Sequence, residues 1–269
     1  TCMKISHTQI EDLACPKRFH FKRVLRLEER LSAYLLCGDS IHKGMEPLNL
    51  GGDPIKGYSD FMALGKTKNG FATCEWPGKV RWDARESLKT WSDYAPKALR
   101  EYPGYWAGKM PKPMSDNDGN FCVEKLWEID IQDGHGIWVK IDLITDDGIV
   151  VDYKTAGSAN NVKDIEALHI SQQTQIYAWA FWKKFGELPA GARYDFFVLT
   201  KTPTYQRTPD FEIDMDAVLR INDDIEQYIQ EVNWRHAEDN WPRRRSECFN
   251  YGRACPFMAA CMPERENLW

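Results

Sequence analysis

The chain has 269 residues, 43% hydrophobic and 28% charged, with a formal net charge of −5. That balance excludes a disordered polymer, a membrane-spanning protein and a broadly basic nucleic-acid coat, and fits one large globular domain. No apolar run approaches the roughly 20 residues a bilayer span needs. The segment TCMKISHTQI carries no apolar signal region, so a cytoplasmic protein is expected. Disulfides are rare there, and the eight cysteines point first to metal binding.

In chain order, Thr8 and Glu11 fit a capping box, and a helix is predicted from Gln9, burying Ile10, Leu13 and Ala14 and carrying Cys15 before Pro16. A second helix is predicted over 32–46, with Tyr34, Leu35, Gly38, Ile41, His42 and Met45 at helical spacing. Residues 49–73 read as irregular. A third helix over 83–101 has Leu88, Trp91, Tyr94, Ala98 and Leu99 on one stripe, and PGYWAGKMPKPMSDNDGN reads as a linker-like break. Residues 121–154 change period and predict a three-stranded antiparallel meander, turning at QDGHG and DDG. A helix over 163–185, a strand over 193–200 and a long helix over 214–238 follow. Trp76, Trp82, Trp91 and Trp106 fall in or beside the 49–120 stretch; each is a core residue or a platform for a base, and Trp76 and Trp106 are the better candidates to stack. Two basic patches, Lys17-Arg18-Lys22-Arg23-Arg26 and Arg243-Arg244-Arg245, are solvated surface or contacts for a strand backbone.

The second hairpin carries the chemistry. If Asp146-Asp147-Gly148 is a three-residue loop, Thr145 faces Ile149 and Asp142 faces Asp152. Lys154 shares the face of Asp152, two residues on. Two carboxylates so placed repel unless a cation lies between them, and oxygen ligands suit Mg²⁺ or Mn²⁺. The competing reading is a solvent-facing sheet with a chance Asp–Lys pair, though Asp152 sits within apolar IVVDY. With QDGHG as a five-residue loop, Glu124 faces Ile144 and becomes an outer ligand, a partner of Lys154 or an ordinary strand glutamate.

Cys15 near one end and Cys248, Cys255 and Cys261 near the other suggest a metal clasp between the termini. Four thiolates hold a 4Fe-4S cluster or a zinc ion. There is no CxxC pair, so paired zinc knuckles fit poorly. Cys2, Cys37, Cys74 and Cys122 read as small core or surface residues.

These motifs, in order, are GDSIH with His42, VKIDLIT with Asp142, VVDYKT with Asp152 and Lys154, and QTQIY with Gln173 and Tyr177. With the flanking cysteines, the chain resembles the PD-(D/E)xK nuclease superfamily in its RecB-like branch. Within it, the chain looks like the iron–sulfur exonucleases related to CRISPR-associated and phage recombination nucleases. The resemblance covers 1–48 and 121–269. Two departures stand out: isoleucine precedes Asp142 where proline is usual, and six residues separate Cys248 from Cys255 where two are common.

The resemblance implies an α/β, restriction-endonuclease-like core of helix, three-stranded antiparallel meander, helix and strand. It implies a single nuclease domain over 1–269 with 239–269 a cysteine-rich tail pairing with Cys15; residues 49–120, outside the resemblance, are expected to be a helical insertion. His42, Asp142 and Asp152 would bind Mg²⁺ or Mn²⁺, Lys154 would assist the water, and Gln173 and Tyr177 would line the site. Cys15, Cys248, Cys255 and Cys261 would hold a 4Fe-4S cluster in preference to zinc. The implied activity is metal-dependent DNA exonuclease cleavage of single strands or ends, without membrane association. Two other readings stay open. One is a non-catalytic DNA-end-binding or assembly module of a recombination or CRISPR adaptation complex. The other is a zinc-stapled protein acting on another phosphate ester.

Overall fold

A computed structural model describes residues 4–27, 29, 31–64, 80–81, 88–131, 134–162, 168, 171–250 and 253–262. The expected helix start at 163, the side chains of Tyr34 and Trp91, and Cys2, Cys74, Trp76 and Trp82 fall outside them. In order come β1 (Lys4–Ser6), α1 (His7–Leu13), α2 (Pro16–Phe19), a π-helix (His20–Val24), β2 (Leu31–Ser32) and α3 (Ala33–Asn49). Then follow α4 (Pro54–Leu64), β3 (Val80–Arg81), α5 (Leu88–Tyr105), β4 (Val123–Asp130), β5 (Gly136–Ile144) and β6 (Ile149–Ala156). The chain continues with α6 (Gln172–Phe185), β7 (Gly191–Val198), β8 (Thr204–Arg207) and α7 (Met215–Glu238). It closes with β9 (Phe249–Asn250), β10 (Arg253–Ala254) and α8 (Met258–Cys261). Among the described residues, no helix is long and apolar enough to cross a membrane.

The chain divides into two compact units. The larger comprises Leu31–Trp127 and Lys140–Leu219. Its sheet pairs β5 with β6 antiparallel, β6 with β7 parallel, and β7 with β8 antiparallel. A parallel pair requires a crossover, and α6 lies in that connection. Ile41, Met45, Ala98, Leu99, Tyr102, Val151, Tyr153 and Phe197 pack into its core. The periodic positions of α3 and α5 and the inward face of β6 supply it, as amphipathic elements must.

Three expectations are corrected here. The first helix begins two residues earlier than Thr8 suggests. Ser6 is the cap, and its N–H donates to Gln9 Oε1 at 2.7 Å. Residues 54–64 form a helix and not irregular chain. Pro54 occupies its first turn, Asp53 Oδ1 accepts the Ile55 N–H at 2.9 Å, and Tyr58 and Phe61 are buried three residues apart. Gly57 is required there, since a Cβ would lie 2.0 Å from the Lys43 carbonyl oxygen of α3. The supposed linker is ordered against the sheet. Met114 N–H bonds the Ile144 carbonyl at 2.8 Å, and Asp116 Oδ1 accepts the N–H groups of Asp118 and Asn120.

Strand β8, not foreseen, carries a charge into the core. Asp195 and Arg207 face each other across β7 and β8. The guanidinium grips both carboxylate oxygens, at 2.7 and 2.6 Å, and Tyr102 donates a third bond at 2.6 Å. Fork-to-fork bonding of this kind makes a buried carboxylate tolerable.

The smaller unit comprises Thr1–Arg30, Glu128–Val139 and Arg220–Trp269. β1 pairs in parallel with Gly136–Trp138. Leu13, Phe19, Val232 and Trp241 form its core cluster, with Phe19 stacked on Trp241 at 5.8 Å.

Candidate active site

The DDG hairpin forms as its sequence predicts. Thr145 N–H bonds the Ile149 carbonyl at 3.0 Å, and Gly148 takes φ +80°. Leu143 faces Val151, the expected register, in which Asp142 and Asp152 are the next pair. Asp142 Oδ2 accepts the Tyr153 N–H at 2.8 Å, so its carboxylate takes a backbone donor of the neighbouring strand.

Glu124 comes closer to this pair than expected. Ile144 N–H bonds the Cys122 carbonyl at 2.9 Å, and counting from that bond sets Glu124 opposite Asp142, not Ile144. The shift arises at QDGHG, where Ile131 N–H bonds the His135 carbonyl and Gly134 takes φ +77°. The loop is therefore two residues shorter than the five expected, and every pairing moves by two. A shift of two keeps the face, so Glu124 still points with Asp142. Its backbone sits at φ +48°, costly for a non-glycine residue and frequent at functional sites.

His42 on α3 closes the group. Its Nδ1 lies 3.1 Å from Glu124 Oε1 and 3.2 Å from Asp142 Oδ1. One ligand atom from each of His42, Glu124 and Asp142 falls within 4.8 Å of the others. Lys140 ion-pairs with the second oxygen of Glu124. The structure thus gathers two of the three expected metal ligands with a glutamate that sequence pairing reached only in the wrong register.

Asp152 stands in a second set of contacts. Lys154 Nζ lies 2.6 Å from its Oδ2. Gln173 on α6 bridges the rest: its amide nitrogen donates to Asp152 at 3.1 Å and to the Tyr177 hydroxyl at 2.7 Å, while its carbonyl accepts from Lys154 at 2.8 Å. Gln173 and Tyr177 lie four residues apart on one helix face, as their spacing predicts. Ser171 caps α6, its hydroxyl accepting the Thr174 N–H.

Burial and charge set the protonation states. Burial pushes Asp152 up to about 6, the Asp142 charge adds to this, and Lys154 only partly offsets it. Burial would also lift Asp142, but the His42 charge and hydrogen bond, Lys154 and the Tyr153 N–H hold it below its usual range. Burial works against charge on His42, yet the carboxylates of Asp142 and Glu124 outweigh it and raise the imidazole well above 6.5. Lys154 is likewise raised, since Asp152 and Asp142 outweigh its burial, so it stays an ammonium. Burial, then Asp142 and Asp152, lift Tyr177 well above 10 and keep its hydroxyl protonated. Such a group of buried acids beside a fixed imidazole and ammonium has the chemistry of a hard-cation site.

In the smaller unit, Cys15, Cys248, Cys255 and Cys261 all line one pocket, with Arg18 and Arg243 beside them. Burial raises the thiols of Cys255 and Cys261. Cys37 and Cys122, expected as packing residues, are buried elsewhere. Trp106 is half-buried, and the Arg207 guanidinium covers its ring at 4.1 Å, so that face is taken by the protein itself.

Comparisons with known proteins agree with this picture. A search of curated proteins finds no match. The crystal structure of a protein from Eubacterium rectale, provisionally described as an exonuclease, matches over 91% of this chain and 85% of its own. Its TM-score is 0.55 at 16% identity, a likeness of fold. The structure of SSO0001 covers 94% of this chain and 92% of its own at 16% identity, but its TM-score of 0.34 carries no argument. The family model of the PD-(D/E)XK nuclease superfamily matches residues 4–262. With nearly the whole length matched and a mixed α/β fold to accompany it, the chain belongs to the PD-(D/E)XK nuclease superfamily.

Proposed function

We propose that this nuclease is a Mg²⁺- or Mn²⁺-dependent DNA exonuclease acting on single strands or ends. The observation that carries the reading is the buried pair Asp142 and Asp152, one held ionised by its neighbours and the other lifted to about 6 by burial and by the charge of the first. His42, Asp142 and Asp152 are assigned as the cation's ligands. Glu124, at 3.1 Å from His42, orients the imidazole or adds a fourth donor. A bound cation would polarise the scissile phosphate and lower the pKa of a water.

The remaining residues act as themselves. Lys154 keeps its proton and offers N–H donors to a phosphate oxygen or to the attacking water. Gln173 fixes both the ammonium and the Asp152 carboxylate through one amide, which sets their separation. Tyr177 stays protonated. End-labelled single- and double-stranded DNA incubated with anaerobically purified protein, with and without Mn²⁺, tests the reading. Shortening from ends that requires Mn²⁺ is expected. Binding to DNA ends without cleavage under either condition would favour the non-catalytic assembly module.

The cysteine pocket is assigned to a 4Fe-4S cluster. What supports it is that Cys15 and three C-terminal cysteines, with no CxxC pair among them, line one pocket. Absorption near 400 nm in the purified protein is expected; a colourless, zinc-bearing protein would overturn the assignment.

A further inference from the structure

The smaller unit has an open surface pocket that the nuclease chemistry does not use. Lys4, Arg23, Arg26 and His236 line it over a floor that includes Phe19 and Val232, and no carboxylate is among its lining residues. Arg23 is held from behind, its Nε 2.8 Å from Asp12 Oδ2. That buried carboxylate also faces Arg18 at 3.7 Å and Lys22 at 3.4 Å, while Glu29 pairs with Lys22, Glu247 lies near Arg18, and Glu128 pairs with Lys4.

Arg26 is the telling residue. It follows the π-helix His20–Val24, a rare form that recurs at functional sites. Leu25 N–H bonds the His20 carbonyl at 2.8 Å, and Leu27 N–H reaches the Phe21 carbonyl at 2.9 Å. Between them Arg26 takes φ +52°, the left-handed terminating position that favours glycine. The backbone gains nothing from arginine there. What arginine adds is a guanidinium at the rim of a cationic cavity.

We propose that this cavity binds the phosphodiester backbone of a nucleic-acid strand, with Arg26 as the principal phosphate contact and Arg23, held by Asp12, beside it. The assignment rests on the reading that the chain acts on nucleic acid, but strand binding is separable from cleavage. The test is fluorescence anisotropy of labelled oligothymidylate with protein in EDTA, across a salt series, beside thermal melting.

Arg26→Gly should weaken strand binding about 3–10-fold and reduce the slope of log K against log salt by about one. The same change should raise Tm by about 2–4 °C, since glycine relieves the left-handed backbone. Arg26→Lys should recover the affinity. Asp152→Asn, which removes cleavage, should keep the Arg26-dependent binding, so failure of the nuclease reading and failure of this one are distinguishable. Wild-type affinity and slope in Arg26→Gly would overturn the proposal, as would a fall in its Tm. Displacement of the oligonucleotide by inorganic phosphate or a nucleoside triphosphate at equal phosphate concentration would overturn the strand assignment in favour of a free-anion site.

Discussion

Asp152 shows how the site trades stability for chemistry. Its folded pKa of about 6 lies above the ordinary 3.8. The metal-free fold therefore binds this proton more tightly than the unfolded chain does. The stabilisation is complete below about pH 4 and is lost as pH rises through about 6. Asp152→Asn should thus raise the Tm of the metal-free protein at neutral pH by about 2–4 °C, roughly 1 kcal/mol, while abolishing cleavage. Differential scanning calorimetry in EDTA at pH 4.5 and pH 7.5 checks the sign: the gain should appear at the higher pH and shrink at the lower. A cation must also displace that proton, so Mn²⁺ affinity should fall as pH drops below about 6. Lys154 makes the complementary case. An ammonium cannot ligate a cation, so Lys154→Ala should cut turnover by about 10²–10³-fold with Mn²⁺ affinity intact by calorimetric titration. Lost Mn²⁺ binding in a folded Lys154→Ala protein would mean that Lys154 only organises the carboxylates.

At the scale of elements, the sequence was most legible where a local rule fixes geometry. The loop Asp146-Asp147-Gly148 admits one tight connection, and the register of Asp142 and Asp152 follows from it alone. QDGHG reads whole as a five-residue loop, and that length displaces Glu124 by two residues. The alternation of β4 still gave its face, so the glutamate was found on the right side and at the wrong partner. Helix α4 was hidden because the stretch 49–73 is rich in Gly and Lys; Gly57 in fact serves close helix packing, and Pro54 stands at the helix start. Strand β8 was hidden for another reason: TYQR has no apolar run, and what holds it is Arg207 reaching a buried Asp195. That pair gives a sharp prediction. Arg207→Leu leaves a carboxylate at 1% exposure without its bidentate partner and should cost about 3–5 kcal/mol. Urea unfolding of Arg207→Leu and of Arg207→Leu with Asp195→Asn measures it; the second change should recover much of the loss, because it removes the uncompensated charge.

For the whole molecule, the question is what holds together a unit assembled from three stretches of chain. The smaller unit takes residues from both ends and from the middle. Its core cluster centres on Leu13, Phe19, Val232 and Trp241, and its link between Lys17 N–H and the Pro242 carbonyl is one bond of 3.1 Å. Four thiols from segments more than 230 residues apart meet at one pocket there. A metal cluster closing so long a loop removes much of the entropy of the unfolded chain and makes its own binding energy part of folding. Replacing Cys15, Cys248, Cys255 or Cys261 by Ala should therefore remove iron and sulfide together and lower Tm. Cys37→Ala and Cys122→Ala should keep full iron, though each leaves a small cavity in a packed interior. Hydrogen exchange separates the two kinds of damage. In Cys15→Ala, amides of 7–24 and 245–250 should lose protection while those of 149–156 and 191–198, in the sheet that carries Asp152, keep theirs. If Cys15→Ala retained its iron, or if the sheet amides exchanged as fast as the helix amides, the clasp would not be what secures the smaller unit.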